Sequence, residues 1–359
     1  MKGANCSISP ALCPPVLSRR ETGRLRSWLP HLTDHADADA GKPDAADLRE
    51  AVLSVGFQLN DIVEHVHAAT VARENNQQIP LFLADTEWFR LAAWLHVADR
   101  RSIIGDPRVF IFVGAQAAAQ YERCLRDNDD LEIPRVRIAC YLTDEVCRSF
   151  DEAGRRARQD RDSRCTAVTK RLRERSAGRD QAYWAKRLRP GARVLGFTSQ
   201  FTTMLQYSMR DIGVALQEQG YEFRMVMEAA PHRQANALTA AKEVEAFDPD
   251  LVILLNHFRC ELPAPLIGLP VLTWVQDPTD LVFSKQTGAS IGPLDFVCGY
   301  YYHRCTEEFG YPRSRFLNAV IPVSSRTFHD GPVDPDDETR CARDIMYVGH
   351  LHATPDEHC

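Results

Sequence analysis

Short runs of consecutive apolar residues alternate along most of this chain with segments whose apolar residues recur every three or four positions. The runs are Val52 to Phe57, Pro80 to Ala84, Val109 to Val113 and Val136 to Cys140, then Arg193 to Thr198, Glu222 to Met227, Leu251 to Asn256, Val271 to Val275 and Asp295 to Cys298. Runs of this length and texture predict strands buried on both faces. Between them, Ile62, Val63, Val66 and Val71, then Trp88, Phe89, Ala92, Ala93 and Leu95, fit helical spacing. Further on, Leu205, Met209, Ile212 and Leu216 form a stripe with Gly220 placed to cap it, and Leu238, Ala241, Val244 and Phe247 form another, closed by Asp248-Pro249-Asp250. Strands alternating with helices of this length need βαβ crossovers. The predicted fold class is therefore α/β, with two Rossmann-like parallel-sheet domains.

Texture also sets the expected boundaries. Residues 1–47 are rich in Pro, Ala and Asp without an apolar period and read as a flexible leader. A first α/β domain is expected over 48–150, a second over 190–329, and an acidic linker with one more strand, Ile345 to Val348, over 330–359. Between the domains, residues 151–189 carry 13 Lys and Arg against 6 Asp and Glu. That excess predicts a basic helical connector, read as a solvated linker because no nucleic-acid recognition motif accompanies it.

Composition narrows the function classes. Of 359 residues 44% are hydrophobic and 26% charged, and the net charge is −6, which argues against a nucleic-acid partner. No apolar run approaches the roughly 20 residues of a bilayer-spanning helix, so stable membrane insertion is not expected, and the chain reads as cytoplasmic. The 11 cysteines are odd in number and lack a Cys-x-x-Cys pair, so neither a metal site nor a cofactor is predicted from them.

Several motifs fail on context. Gly288-Ala-Ser290-Ile-Gly292 matches a nucleophile elbow but is followed by a strand rather than a helix. Asp248-x-Asp250 precedes a strand, at the edge opposite the one where ligands collect. His65-x-His67 and His350-x-His352 lack further ligands at a credible spacing. In the first domain Gly56 and Asp85 follow consecutive strands, where a dinucleotide fold places its turn and its ribose-binding acid, and they are the candidate cofactor-binding residues there. Gln58, Leu59 and Asn60, however, occupy the turn where small residues would admit a pyrophosphate.

What survives is positional. Residues just beyond the C-terminal ends of parallel strands line the ligand crevice. In the second domain these supply Thr198, Ser199, Gln200 and Thr202, then Asn256, His257 and Arg259, then Trp274, Gln276 and Asp277. Asp277 is the first candidate for a general base and His257 the second; the others are candidate substrate-binding residues, with Arg259 available to an anion. Thr202 also stands where it could simply cap the following helix.

At these residues the chain resembles a known family. Arg193-Val-Leu-Gly-Phe-Thr-Ser, Asp248-Pro-Asp-Leu-Val, Trp274-Val-Gln-Asp-Pro278, Gly310-Tyr-Pro, Val320-Ile-Pro322 and Phe328 are similar to the N-terminal lobe of GT-B glycosyltransferases of the spore-maturation CgeB-like group in bacteria. Asp344-Ile-Met-Tyr-Val-Gly349 is similar to the strand that opens that family's donor-binding lobe. Ala51 to Gly114, through Gly56, Asp85, Asp106-Pro-Arg108 and Phe112-Val-Gly114, resembles the Rossmann-like part of motility-associated-factor glycosyltransferases. The resemblance implies transfer of a sugar from a nucleotide-sugar donor to a carbohydrate or protein acceptor, catalysed between two lobes without a metal. It also implies that this chain, ending shortly after Gly349, binds nucleotide sugar weakly or not at all. The alternative is a non-catalytic carbohydrate- or protein-binding module. Sugar, acceptor and oligomeric state stay open.

Overall fold

The computed structural model describes residues 49–319, apart from 58–60, 71–75, 140–143 and 263. The expected leader, the linker and strand after residue 330, and the individual expectations at Gln58, Leu59, Asn60, Val71, Cys140, Val320, Pro322, Phe328, His350 and His352 lie outside the described residues. All described residues belong to one compact unit.

The fold is α/β, built on two sheets whose strands all run parallel. The first has four strands in the order β3-β2-β1-β4, where β1 is Val52–Val55, β2 Leu81–Asp85, β3 Val109–Val113 and β4 Val136–Ala139. Every residue of β1 and β2 is buried, which explains why these strands read as unbroken apolar runs. Helices α1 (Ile62–Ala69), α2 (Trp88–Val97), α3 (Arg101–Ile104) and α4 (Ala117–Asp127) connect them. Side chains of β1 alternate between two cores: Val52 packs with Val63, Val66 and Trp94, whereas Leu53 and Val55 pack with Phe82, Tyr121 and Leu125.

The second sheet has six strands in the order β10-β9-β8-β7-β5-β6. These are β5 (Arg193–Phe197), β6 (Glu222–Val226), β7 (Leu251–Leu255), β8 (Val271–Trp274), β9 (Asp295–Gly299) and β10 (Phe316–Asn318). Helices α7 (Thr203–Glu218) and α8 (Ala237–Phe247) cover opposite faces: Met209 packs with Val194, Ile253 and Leu255, while Leu238 and Val244 pack with Leu195, Val252 and Leu254. Local chemistry fixes the helix ends. Asn236 accepts bonds from the Leu238 and Thr239 amides at the start of α8, and Gly220, at φ +82°, turns the chain after α7 in a conformation that favours glycine. Two short helices, α9 (Lys285–Ser290) and α10 (Tyr302–Glu308), complete this half.

The basic segment holds α5 (Asp144–Ser176) and α6 (Gln181–Arg187). Helical geometry was expected; what the expectation of a solvated linker lacked is a buried stripe along the helix. Phe150, Ala153 and Ala157 of α5 are buried in the core of the four-stranded half, and Val168 and Leu172 in that of the six-stranded half. Its cations meet acids on the flanking helices and turns: Arg156 with Glu122 at 2.6 Å, Arg164 with Asp129 at 2.7 Å, Arg171 with Glu245 at 2.5 Å. Asp248 takes Arg175, Arg179 and Arg193, and Asp250 takes Arg187. Part of the local charge excess is thus met by acids elsewhere in the fold, and α5 is a spine shared by two cores.

Candidate functional site

In the six-stranded sheet the chain runs outward in one direction from β5 to β6 and in the other from β7 to β10, so the topological switch lies between β5 and β7. Asn256, directly after β7, adopts φ +58°. Its amide spans the gap to the loop after β8: Oδ1 accepts from the Gln276 and Asp277 amides at 2.7 and 3.1 Å, and Nδ2 donates to Asp277 Oδ2 at 2.7 Å. One buried side chain therefore sets the course of the neighbouring loop and holds one carboxylate oxygen of Asp277. The rest of Asp277 is exposed.

The residues before this carboxylate in the chain include buried polar side chains. Strand alternation puts Trp274 and Gln276 on the α7 face, and the Ser208 hydroxyl of α7 donates to Gln276 Oε1 at 3.1 Å. Trp274 and Gln276 are only 8% and 5% exposed. Trp274 Nε1, Gln276 Nε2, Gln200 Nε2 and Thr198 Oγ1 are buried and have no hydrogen-bond partner. Buried polar groups are ordinarily paired, and each orphan costs on the order of 1–3 kcal/mol, so these are four polar atoms for which the fold itself provides no partner. The loop that carries Gln200 is itself braced, by Glu228 Oε2 accepting the Gln200 amide at 2.9 Å and by Gln206 donating to the Gln200 carbonyl at 2.8 Å. Ser199 and Thr202 serve the turn: the Ser199 hydroxyl accepts the Phe201 amide, and the Thr202 hydroxyl donates to the Ser199 carbonyl. Thr202 holds the cap position of α7, but its side chain makes no capping bond.

The rim includes residues that the sequence reading passed over. Tyr300 and Tyr301 follow β9, their ring centroids 3.9 Å apart and their planes 34° from parallel, with a hydroxyl-to-hydroxyl bond between them. Before them Gly299 lets the end of β9 lie close against the loop after β8: at φ +156°, a Cβ there would meet the Val275 carbonyl oxygen at 2.7 Å. Burial, the bond to Tyr300 and, to a lesser degree, the charge of Asp277 push the Tyr301 phenol upward. His257 is exposed; its Nδ1 lies 3.0 Å from Glu261 Oε1, and that bond raises the imidazole above its ordinary value. Glu261 was not singled out from sequence, although its spacing of four residues from His257 was visible.

Two expected site residues are corrected by their contacts. Arg259 follows β7, but the chain enters a 3-10 turn at Arg259–Glu261 and the long side chain reaches back to the N-terminal edge of the sheet. There its guanidinium bonds Asp295 Oδ1 at 2.7 Å and the Leu266 and Leu269 carbonyls. It is spent on the lobe and leaves the crevice without that cation. In the four-stranded sheet Asp85 is fully buried. Its Oδ2 accepts the Phe57 amide at 3.0 Å, and its Oδ1 accepts the Glu87 amide at 2.9 Å and Arg90 at 3.1 Å. Both oxygens are engaged, so Asp85 ties the ends of β1 and β2 together rather than waiting for a ribose. Gly56 makes the turn at φ +101° directly before Phe57.

The remaining motifs resolve in the same way. Asp248 and Asp250 are consumed by arginines, Ser290 Oγ donates to the Thr287 carbonyl at the end of α9, and His67 Nε2 pairs with Asp106 at 2.8 Å. Among the described residues no group of His, Cys, Asp and Glu is arranged to hold a metal ion. Among them, too, no helix is long and apolar enough to cross a membrane.

No family model matches the chain, and no curated protein matches it. Among solved structures it aligns with a chain of the formyltransferase/hydrolase complex from Methylorubrum extorquens, crystallised with methylofuran, at 12% identity over 77% of this chain and 75% of that one. The TM-score is 0.15, and at that value the likeness carries no argument.

Proposed function

We propose that the six-stranded half is the acceptor side of a glycosyl-transfer site of GT-B type, in which Asp277 removes the proton of an acceptor hydroxyl as it attacks the anomeric carbon of a nucleotide sugar. The observation that carries this reading is the Asn256–Asp277 bond of 2.7 Å, which fixes one oxygen of an exposed carboxylate at the C-terminal edge beside the switch point. A base held by one oxygen presents the other to substrate in a defined direction, which is the geometry general-base catalysis needs. The resemblance of Gly191 to Phe328 to the acceptor lobe of CgeB-like glycosyltransferases supports the same reading.

Intact mass in the native cells establishes which form of the protein to assay. That form is then incubated with nucleotide sugars, and release of nucleoside diphosphate is followed. Asp277→Asn keeps the shape and the neighbourhood but cannot take a proton, so turnover should fall by about 10²–10⁴-fold. Turnover within a factor of two or so of the parent would refute the assignment of Asp277. Binding of saccharides without any turnover in the parent would favour a non-catalytic binding module instead.

A further inference from the structure

We propose that the outer face of Tyr300, on the loop adjacent to the one that carries Asp277, is a stacking subsite for the apolar face of an uncharged pyranose. Tyr300 is 49% exposed at the end of a buried strand, and its inner face rests on Tyr301. Tyr301 is in turn met edge-on by Phe283 at 5.3 Å, and Phe283 stacks on Phe309 at 5.5 Å and lies under the Arg304 guanidinium at 4.0 Å. The exposed ring is therefore the top of a braced aromatic column, so little side-chain freedom is lost when a ligand settles on it. Two classes of ligand stack on such a ring, a planar base and the C–H-bearing face of a sugar, whose slightly positive hydrogens meet the negative face of the π-system.

Charge decides between them. A nucleotide brings phosphates, and the rim offers them the Asp277 carboxylate, while Arg259 is carried to the opposite edge of the sheet and Arg304 lies over the Phe283 ring with Glu308 beside it. A neutral sugar brings hydroxyls, which the exposed Asp277 carboxylate can accept. The inference deepens the glycosyl-transfer reading by giving the acceptor a chemical class and rests on it for Asp277 facing the acceptor. Stacking on Tyr300 stands without it.

The test uses the full chain and saturation-transfer NMR with methyl β-glucopyranoside, methyl β-galactopyranoside and methyl α-mannopyranoside, with uridine monophosphate as the counter-probe. At least one glycoside should show transfer concentrated on the ring protons of one face. The signal should drop about fivefold in Tyr300→Ala and persist in Tyr300→Phe, which keeps the ring. Absence of transfer to all three glycosides overturns the proposal, as does an unchanged signal in a folded Tyr300→Ala, or Tyr300-dependent binding of uridine monophosphate in their place. Tyr300-dependent glycoside binding combined with undiminished turnover in Asp277→Asn would retain the subsite and remove the catalytic reading.

Discussion

Asp85 is the last residue of β2 in the four-stranded sheet, and Asp277 follows β8 in the six-stranded one, so both carboxylates stand at the C-terminal edge of a parallel sheet. Their surroundings are opposite. Asp85 is sealed, with two backbone amides and Arg90 on its oxygens, and burial raises it above the ordinary carboxylate value in spite of those partners. Asp277 keeps one bond, to Asn256, and the rest of it meets solvent. The strand edge tells where a ligand site can form in this fold class. Whether one has formed is told by how much of the polar group's bonding capacity the protein has already consumed.

The sharpest way to break this contrast is to remove each carboxylate in turn. Asp85→Ala removes the buried carboxylate that accepts from the Phe57 and Glu87 amides and from Arg90, and should cost about 3–5 kcal/mol in chemical denaturation of the full chain. Asp277→Ala, on an exposed group, should stay within about 0.5–1 kcal/mol. Comparable losses in the two variants would show that the edges are not differently built. Asp85 also has a pH signature. Its folded value lies above the ordinary 3.8, so the folded state binds more protons, and its contribution to stability declines as pH rises from 3.8 through the raised folded value.

Asn256 sharpens the comparison at the open edge. Asn256→Ala deletes three hydrogen bonds and puts a Cβ-bearing residue without local polar compensation at φ +58°, for an expected loss of about 2–4 kcal/mol. Asn256→Gly deletes the same bonds but tolerates the backbone, and should recover about 1 kcal/mol of that loss. Hydrogen exchange at the Gln276 and Asp277 amides should accelerate in both. Unchanged exchange would mean that something other than Asn256 holds the loop.

Much of this fold was legible because buried parallel strands are written as apolar runs. Val109–Val113 is the strand expected, and β5 stops one residue short of the expected Thr198 because that residue already begins the crevice loop. β10 was missed, since Phe316–Asn318 is too short for a pattern and Leu317, at 68% exposed, is not a core position. At the site, positions could be read and partners could not. Arg259 and Asp277 look alike as polar residues after strands, yet a turn and a long side chain carry one guanidinium back to Asp295. The arginines of α5 likewise looked like an uncompensated run, because their acids come from Glu122, Asp129 and Glu245 on segments remote in sequence or reached only by folding. Tyr300 and Tyr301 were in plain view after β9, but only the packing of Phe283 makes a platform of them.

The smallest expected effect concerns how independently the groups of the open edge titrate. The Glu261 bond to His257 Nδ1 raises the imidazole above 6.5, which leaves Nε2 as the nitrogen that exchanges its proton. The stabilisation from this pair is complete below 6.5 and disappears as pH rises through the raised folded value. Because the His257 side chain is 62% exposed, solvent screens the pair, and its worth is a few tenths of a kcal/mol, as for other pairs four residues apart. Glu261→Gln should therefore barely move the denaturation midpoint while shifting the His257 ring-proton titration in NMR down towards 6.5. Asp277→Asn should leave that titration where it is, since Glu261 rather than Asp277 is the partner. A His257 that follows Asp277 instead would make the two candidate bases a single coupled unit, and the open edge would then hold one proton-handling device rather than two.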